Sequence, residues 1–220
     1  MKMHVRLTLI EDTLGMMPGD EDILKTYLAS KAPTPEKTAE EVAWCTQTEE
    51  EKRITVFPRT DAGQPMFWDY QIKGMLKDSC AALARQGKAG NPEGRACAKI
   101  KAYKKVIDGD VFVFPRRIPI DLHGLKMDTC TRPLRADTPQ GPRTSIAKSE
   151  AVPEGSTLDF TFDLAYPDLR DMVVECLNYG RLRGIGQWRN SGKGRYLWEE
   201  LDDAGQVIDG NKREYMGEDA

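Results

Sequence analysis

Between Thr157 and Leu177 the apolar residues change period, and that change constrains the fold more than any other feature of the chain. Leu158, Phe160, Phe162 and Leu164 alternate with polar neighbours, as in a strand with one buried face. Leu169, Met172, Val173, Cys176 and Leu177 then fall at i, i+3, i+4, i+7 and i+8, the stripe of an amphipathic helix. Pro167 and Asp168 suit the start of this helix and Gly180 its C-terminal cap. A helix that follows a one-faced strand so closely must lay its stripe over that strand's sheet. The same two patterns recur upstream. "MHVRLTLI" alternates Val5, Leu7 and Leu9 against Arg6, Thr8 and Ile10, and "QIKGMLKDSCAALARQ" sets Ile72, Met75, Leu76, Cys80 and Leu83 on one stripe. "VFVFPRRIPIDL" reads as a strand. "RITVFPRTDAGQPMFWDY" and "TRPLRADTPQGPRTSIAKSEAV" each read as strand, turn, strand, and "GRYLWEEL" as a last strand. Further helices are expected at "DEDILKTYLAS" and around Ala39–Cys45. The class is α+β, an antiparallel sheet with helices on one face. Residues 1–201 form the domain, and 202–220 are expected as an acidic, loose tail. "VFPR" occurs at Val56–Arg59 and again at Val113–Arg116, through duplication or because two strands share a proline stop.

The net charge of −3 does not mark a nucleic-acid binder, but its distribution is uneven. Residues 1–52 carry eleven acids and six bases, residues 99–148 eleven bases and five acids, and residues 181–195 five bases and no acid. The basic middle includes Arg116, Arg117, Arg132 and Arg135, which a sheet could align as a phosphate track. Nothing resembles a signal peptide, and no apolar run approaches the roughly 20 residues that span a bilayer. A cytoplasmic protein with no membrane partner is expected.

Gly184, Gly186, Gly192 and Gly194 read G-x-G-x-x-x-x-x-G-x-G among Arg181, Arg183, Trp188, Arg189, Lys193 and Arg195. The Walker loop does not match, because five residues separate Gly186 from Gly192 and Lys193 is followed by glycine. The dinucleotide fingerprint fails too, with Arg189 where its third glycine belongs and a helix where its strand belongs. Glycine amides that approach closely, forked arginine donors and a stacking indole together still suit a phosphate-bearing ligand with an unpaired base. A basic hairpin whose arginines are merely solvated is the competing reading.

That spacing, followed by Arg195 and a short strand just after a helix, resembles the glycine-rich signature of the RAMP superfamily of CRISPR RNA-binding proteins. Ile72, Lys73, Gly74, Leu76 and Lys77 resemble a second, weaker motif of the same superfamily. The resemblance implies one or two ferredoxin-like, RRM-like βαββαβ units, with any boundary between halves near 87–98. It also implies single-stranded RNA, another nucleic acid or a nucleotide as ligand, and a ribonucleoprotein or host-defence complex as protein partner. The whole chain is similar to proteins of bacteriophages and prophages, which implies a bacterial host cytoplasm. A phage anti-defence protein that mimics a CRISPR subunit or sequesters a nucleotide signal is therefore an alternative.

Catalysis has little to work with. Metal-independent RNA cleavage needs proton-transfer groups, and His4 and His123 are the only histidines. Neither matches the N-terminal helix or loop histidine that the resemblance implies for processing enzymes, so an endoribonuclease ranks below a non-enzymatic binder. The five cysteines (Cys45, Cys80, Cys97, Cys130 and Cys176) contain no CxxC pair, which argues for free thiols and against a metal site. Glu11, Asp12, Asp20, Glu21 and Asp22 lack EF-hand spacing. No cofactor is expected.

Overall fold

The computed structural model describes residues 1–18, 54–138 and 141–211, with the side chains of 134–145 outside that description. The helices expected at residues 20–30 and 39–45, and Cys45, fall outside the described residues. In chain order the strands are β1 (Lys2–Leu9), β2 (Thr13–Leu14), β3 (Met17–Pro18), β4 (Thr55–Val56), β5 (Met66–Trp68), β6 (Val111–Phe114), β7 (Arg117–Asp121), β8 (Asp128–Thr138), β9 (Gly141–Val152), β10 (Thr157–Leu164), β11 (Tyr196–Leu201) and β12 (Val207–Gly210). The helices are α1 (Asp69–Lys88), α2 (Arg95–Lys99), α3 (Tyr103–Asp110) and α4 (Arg170–Arg183).

Alternation decides which face of the large sheet is buried. Met3, Val5, Leu7 and Leu9 of β1 are buried, and the residues between them point the other way. β1 pairs antiparallel with β10, setting Met3, Val5 and Leu7 opposite Phe162, Phe160 and Leu158. On its other side it pairs antiparallel with β11, with Leu7 opposite Trp198. The seven-stranded sheet runs β12-β11-β1-β10-β7-β5, with β6 also on β10. The stripe expected on α1 and the one expected on α4 both enter the core beneath this face. That core takes Leu83 from before 87–98, Cys97 from within it and Ile107 from after it. The path β1, α1, β6/β7, β10, α4, β11 is a βαββαβ pass, as in a ferredoxin-like unit. The fold is α+β. A second, five-stranded sheet runs β2-β9-β4-β3, with β8 on β9. In it β4 runs parallel to β9 through Thr55 and Ser149. No helix among the described residues is long and apolar enough to cross a membrane.

Four expectations change. Gly180 is not the helix cap: α4 continues to Arg183, and Gly184 ends it at φ 72. Gly180 instead makes room for a buried tyrosine, since a Cβ there would lie 1.8 Å from the Tyr196 hydroxyl oxygen. Residues 202–210, expected as part of a loose tail, form a hairpin, with Glu200 opposite Asp209. "VFVFPRRIPIDL" is two strands, parted at Pro115 and Arg116 because proline has no N–H for the ladder. The two "VFPR" segments sit in different sheets, with Phe57 2% exposed and Phe114 55% exposed.

Candidate nucleic-acid interface

The loop from Gly184 to Arg195 joins α4 to β11 and folds back on itself. Its glycines are explained first by close packing. All four have positive φ, and a Cβ at Gly194 would lie 1.7 Å from the Ile185 carbonyl oxygen. A Cβ at Gly186 would lie 2.9 Å from the Leu14 carbonyl oxygen. The Gly184 N–H donates to Gly180 O (2.7 Å), Ile185 to Gly194 O (2.8 Å), Gly192 to Arg189 O (3.0 Å) and Gly194 to Asp12 O (2.8 Å). The amide cradle expected from the glycines is therefore not built from Gly184, Gly192 or Gly194, whose donors are bonded within the protein.

Most of the loop's cations are held by acids. The Asp78 carboxylate on α1 accepts from Arg183 Nε and Arg189 Nη1, each at 2.8 Å through the same oxygen. Burial pushes the Asp78 carboxyl up, but the hydrogen bonds and charges of Arg183 and Arg189 outweigh it and hold the group below its usual value. Arg183 also reaches Asn190 Oδ1 at 3.0 Å. Lys193 pairs with Asp12 at 2.8 Å, which raises its affinity for the proton. Arg195 is exposed. Arg181 lies elsewhere, in a cleft of about 330 Å³ with Glu175, Asn178 and Asp209.

Trp188 and Arg132 meet at the centre of this candidate surface. Trp188 is 42% exposed and holds a left-handed backbone, φ 54 and ψ 34, which is uncommon for a bulky residue. The Ser191 N–H and hydroxyl both donate to its carbonyl, at 3.0 and 2.9 Å. The Arg132 guanidinium, reaching from β8, lies 5.2 Å from the indole ring. Arg132 is only 8% exposed. Its Nη2 donates to Gln187 Oε1 at 2.8 Å, while Nε and Nη1 are buried with no partner among the described residues. A buried guanidinium with two unmet donors is costly unless an anion completes it.

The other predicted residues are placed apart. Arg116 stacks over Trp68, 5.2 Å from its ring, and its carbonyl receives the Asp69 N–H at the start of α1. From there to Asp78 the helix rises about 14 Å. Arg117 is half-buried beside it on β7. Arg135 falls on the β8 backbone opposite Thr144, and its side chain is outside the description. His4 and His123 lie on the large sheet's other face, in clefts of about 450 and 610 Å³ that share Arg6 and Asp159 but include no residue of 181–195. His4 Nδ1 is 2.9 Å from Thr161 Oγ1, and His123 Nε2 is 2.8 Å from Thr157 Oγ1. Asp12, Asp78 and Gln187 went unforeseen, because no one-dimensional pattern links an acid at 78 to arginines at 183 and 189.

No protein-family model matches the chain, and no curated protein matches it. Eighty-six chains of solved structures match. One belongs to the cryo-EM structure of the type III-B Cmr-beta bound to cognate target RNA, with 13% sequence identity and a TM-score of 0.46. The match covers 91% of this chain but only 59% of that one, so the chain spans about three-fifths of its neighbour's length.

Proposed function

We propose that this chain binds single-stranded RNA without cleaving it, at the surface formed by Trp188, Arg132 and the 184–195 loop. One observation carries this reading: the buried Arg132 guanidinium, with Nε and Nη1 unpartnered among the described residues, under a half-exposed indole. A phosphate oxygen would meet the two donors, and the indole offers a base its stacking face. Arg195, Arg132 and the net single charge of Arg183, Arg189 and Asp78 supply about three positive charges, so log affinity should fall with log salt at a slope of about −2. The test is fluorescence anisotropy of a labelled single-stranded RNA across a salt series, with gel analysis of the same samples. Trp188→Ala should weaken binding roughly 5- to 150-fold. A flat salt response with both Trp188→Ala and Arg132→Met unaffected would refute the site. Cleaved RNA would refute the non-enzymatic reading, and a preference for DNA or a free nucleotide would reassign the ligand.

A further inference from the structure

Three cysteines that are scattered in the sequence meet inside the fold. Cys80 comes from α1, Cys97 from α2 and Cys176 from α4, and all three are fully buried. Their sulfur atoms lie within 4.8 Å of one another. The Cys97 and Cys176 sulfurs are 3.8 Å apart. Met172 sits one turn before Cys176, and its Sδ is 3.9 Å from the Cys176 Sγ. Metal–sulfur bonds of about 2.3 Å in a tetrahedron put the sulfurs about 3.8 Å apart, so this spacing is that of one metal's ligand shell. The expectation of buried or half-buried free thiols agrees with the four described cysteines, and helix packing brings three of them together in a way that the lack of a CxxC pair does not reveal.

We propose that Cys80, Cys97 and Cys176 bind a single thiophilic ion, Zn2+ or Cu+, with the Met172 thioether beside it as a fourth soft donor. Soft sulfur ligands select such ions over oxygen-seeking ones. On binding, three S–H bonds break, three protons leave to solvent and three metal–sulfur bonds form, with no change of oxidation state. The ion ties α2 to the two long helices. Without it, this five-residue helix is held there by Glu175, which accepts the Ala96 and Cys97 N–H groups at 3.0 and 2.9 Å. Glu175 also lines a cleft with Glu93 and Gly94, the two residues just before α2.

The test uses the full chain, reduced, stripped with chelator under anaerobic conditions and titrated separately with Zn2+, Cu+ and the reporter Co2+. Expected are one retained ion by native mass spectrometry, a thiolate-to-cobalt charge-transfer band, and a higher melting temperature with the favoured ion. The Cys45→Ser, Cys130→Ser double variant should keep all three signals. Cys97→Ser should weaken binding by more than the roughly 10–100-fold typical of an outer-shell partner. The wild-type titration and the double variant decide the matter even if Cys97→Ser does not fold. No retained ion and no charge-transfer band in the reduced wild type overturns the proposal, as does loss of binding in the double variant.

Discussion

Arg132→Met should separate stability from binding. In the ligand-free protein the guanidinium donates one hydrogen bond, to Gln187, and leaves Nε and Nη1 unmet. Two buried, unmet donors oppose folding by about 2–6 kcal/mol together. Against this, the charge-assisted bond returns about 1.5–3 kcal/mol and the contact with Trp188 about 0.5–2 kcal/mol. Methionine fills a similar length without charge and removes both sides of this balance. The variant should therefore be neutral or more stable by about 1 kcal/mol, as when other buried charges are replaced by apolar groups. For a chain of this size that is a melting temperature unchanged or raised by about 2–4 °C. An arginine already neutralised by an acid would behave oppositely, since breaking a buried pair costs about 3–5 kcal/mol, or a fall of at least about 6 °C. Scanning calorimetry in phosphate-free buffer reads the difference, and a second scan with RNA adds the functional arm. RNA should raise the melting temperature of the wild type and not that of the variant. A fall of 6 °C or more without ligand, or equal shifts with RNA, would refute the assignment.

Asp78→Asn frees Arg183 and Arg189, so RNA affinity at pH 7 should rise and the salt slope steepen by about 0.7; reduced affinity would mean that the carboxylate aims the arginines. Asp78 is depressed in the folded state, so its contribution to stability is complete above the ordinary value of 3.8 and is lost as pH falls through the lower, folded value. Melting temperatures of wild type and Asp78→Asn should accordingly differ at neutral pH and converge below about pH 3.8. Gly194→Ala should destabilise by about 2–5 kcal/mol in urea titration, because it combines φ 75 with a Cβ 1.7 Å from the Ile185 oxygen. Gly74→Ala, on the exposed side of α1 with nothing within 4 Å, should stabilise by about 0.5–1 kcal/mol and leave RNA affinity unchanged.

What the sequence revealed follows from how local each cause is. The stripe Ile72, Met75, Leu76, Cys80, Leu83 and the alternation Leu158 to Leu164 were legible, because a single period governs a whole element. Gly180 misled because a glycine near a helix end has two uses, and only Tyr196, sixteen residues on, decides between them. The 184–195 loop was legible as a basic, glycine-rich feature. Its glycines are also needed for packing against Ile185, Lys193 and Leu14, which spacing does not reveal. Arg132 looked like one cation among the eleven of residues 99–148. Its burial depends on where a strand from one sheet meets a loop from the other. The cysteines show the same limit, since their meeting depends on three helices crossing.

The β8–β9 hairpin adds a mechanical consequence. Past Cys130 and Ser149 it runs eight further residue pairs to Thr138 and Gly141, with no third strand beside it among the described residues. That is an arm about 27 Å long. Arg132 sits at its root, opposite Ala147. A tilt of about 10° at the root swings the tip by about 5 Å over that length. A displacement of the guanidinium at the root would therefore be magnified toward the tip, as a gauge's needle magnifies the turn of its spindle.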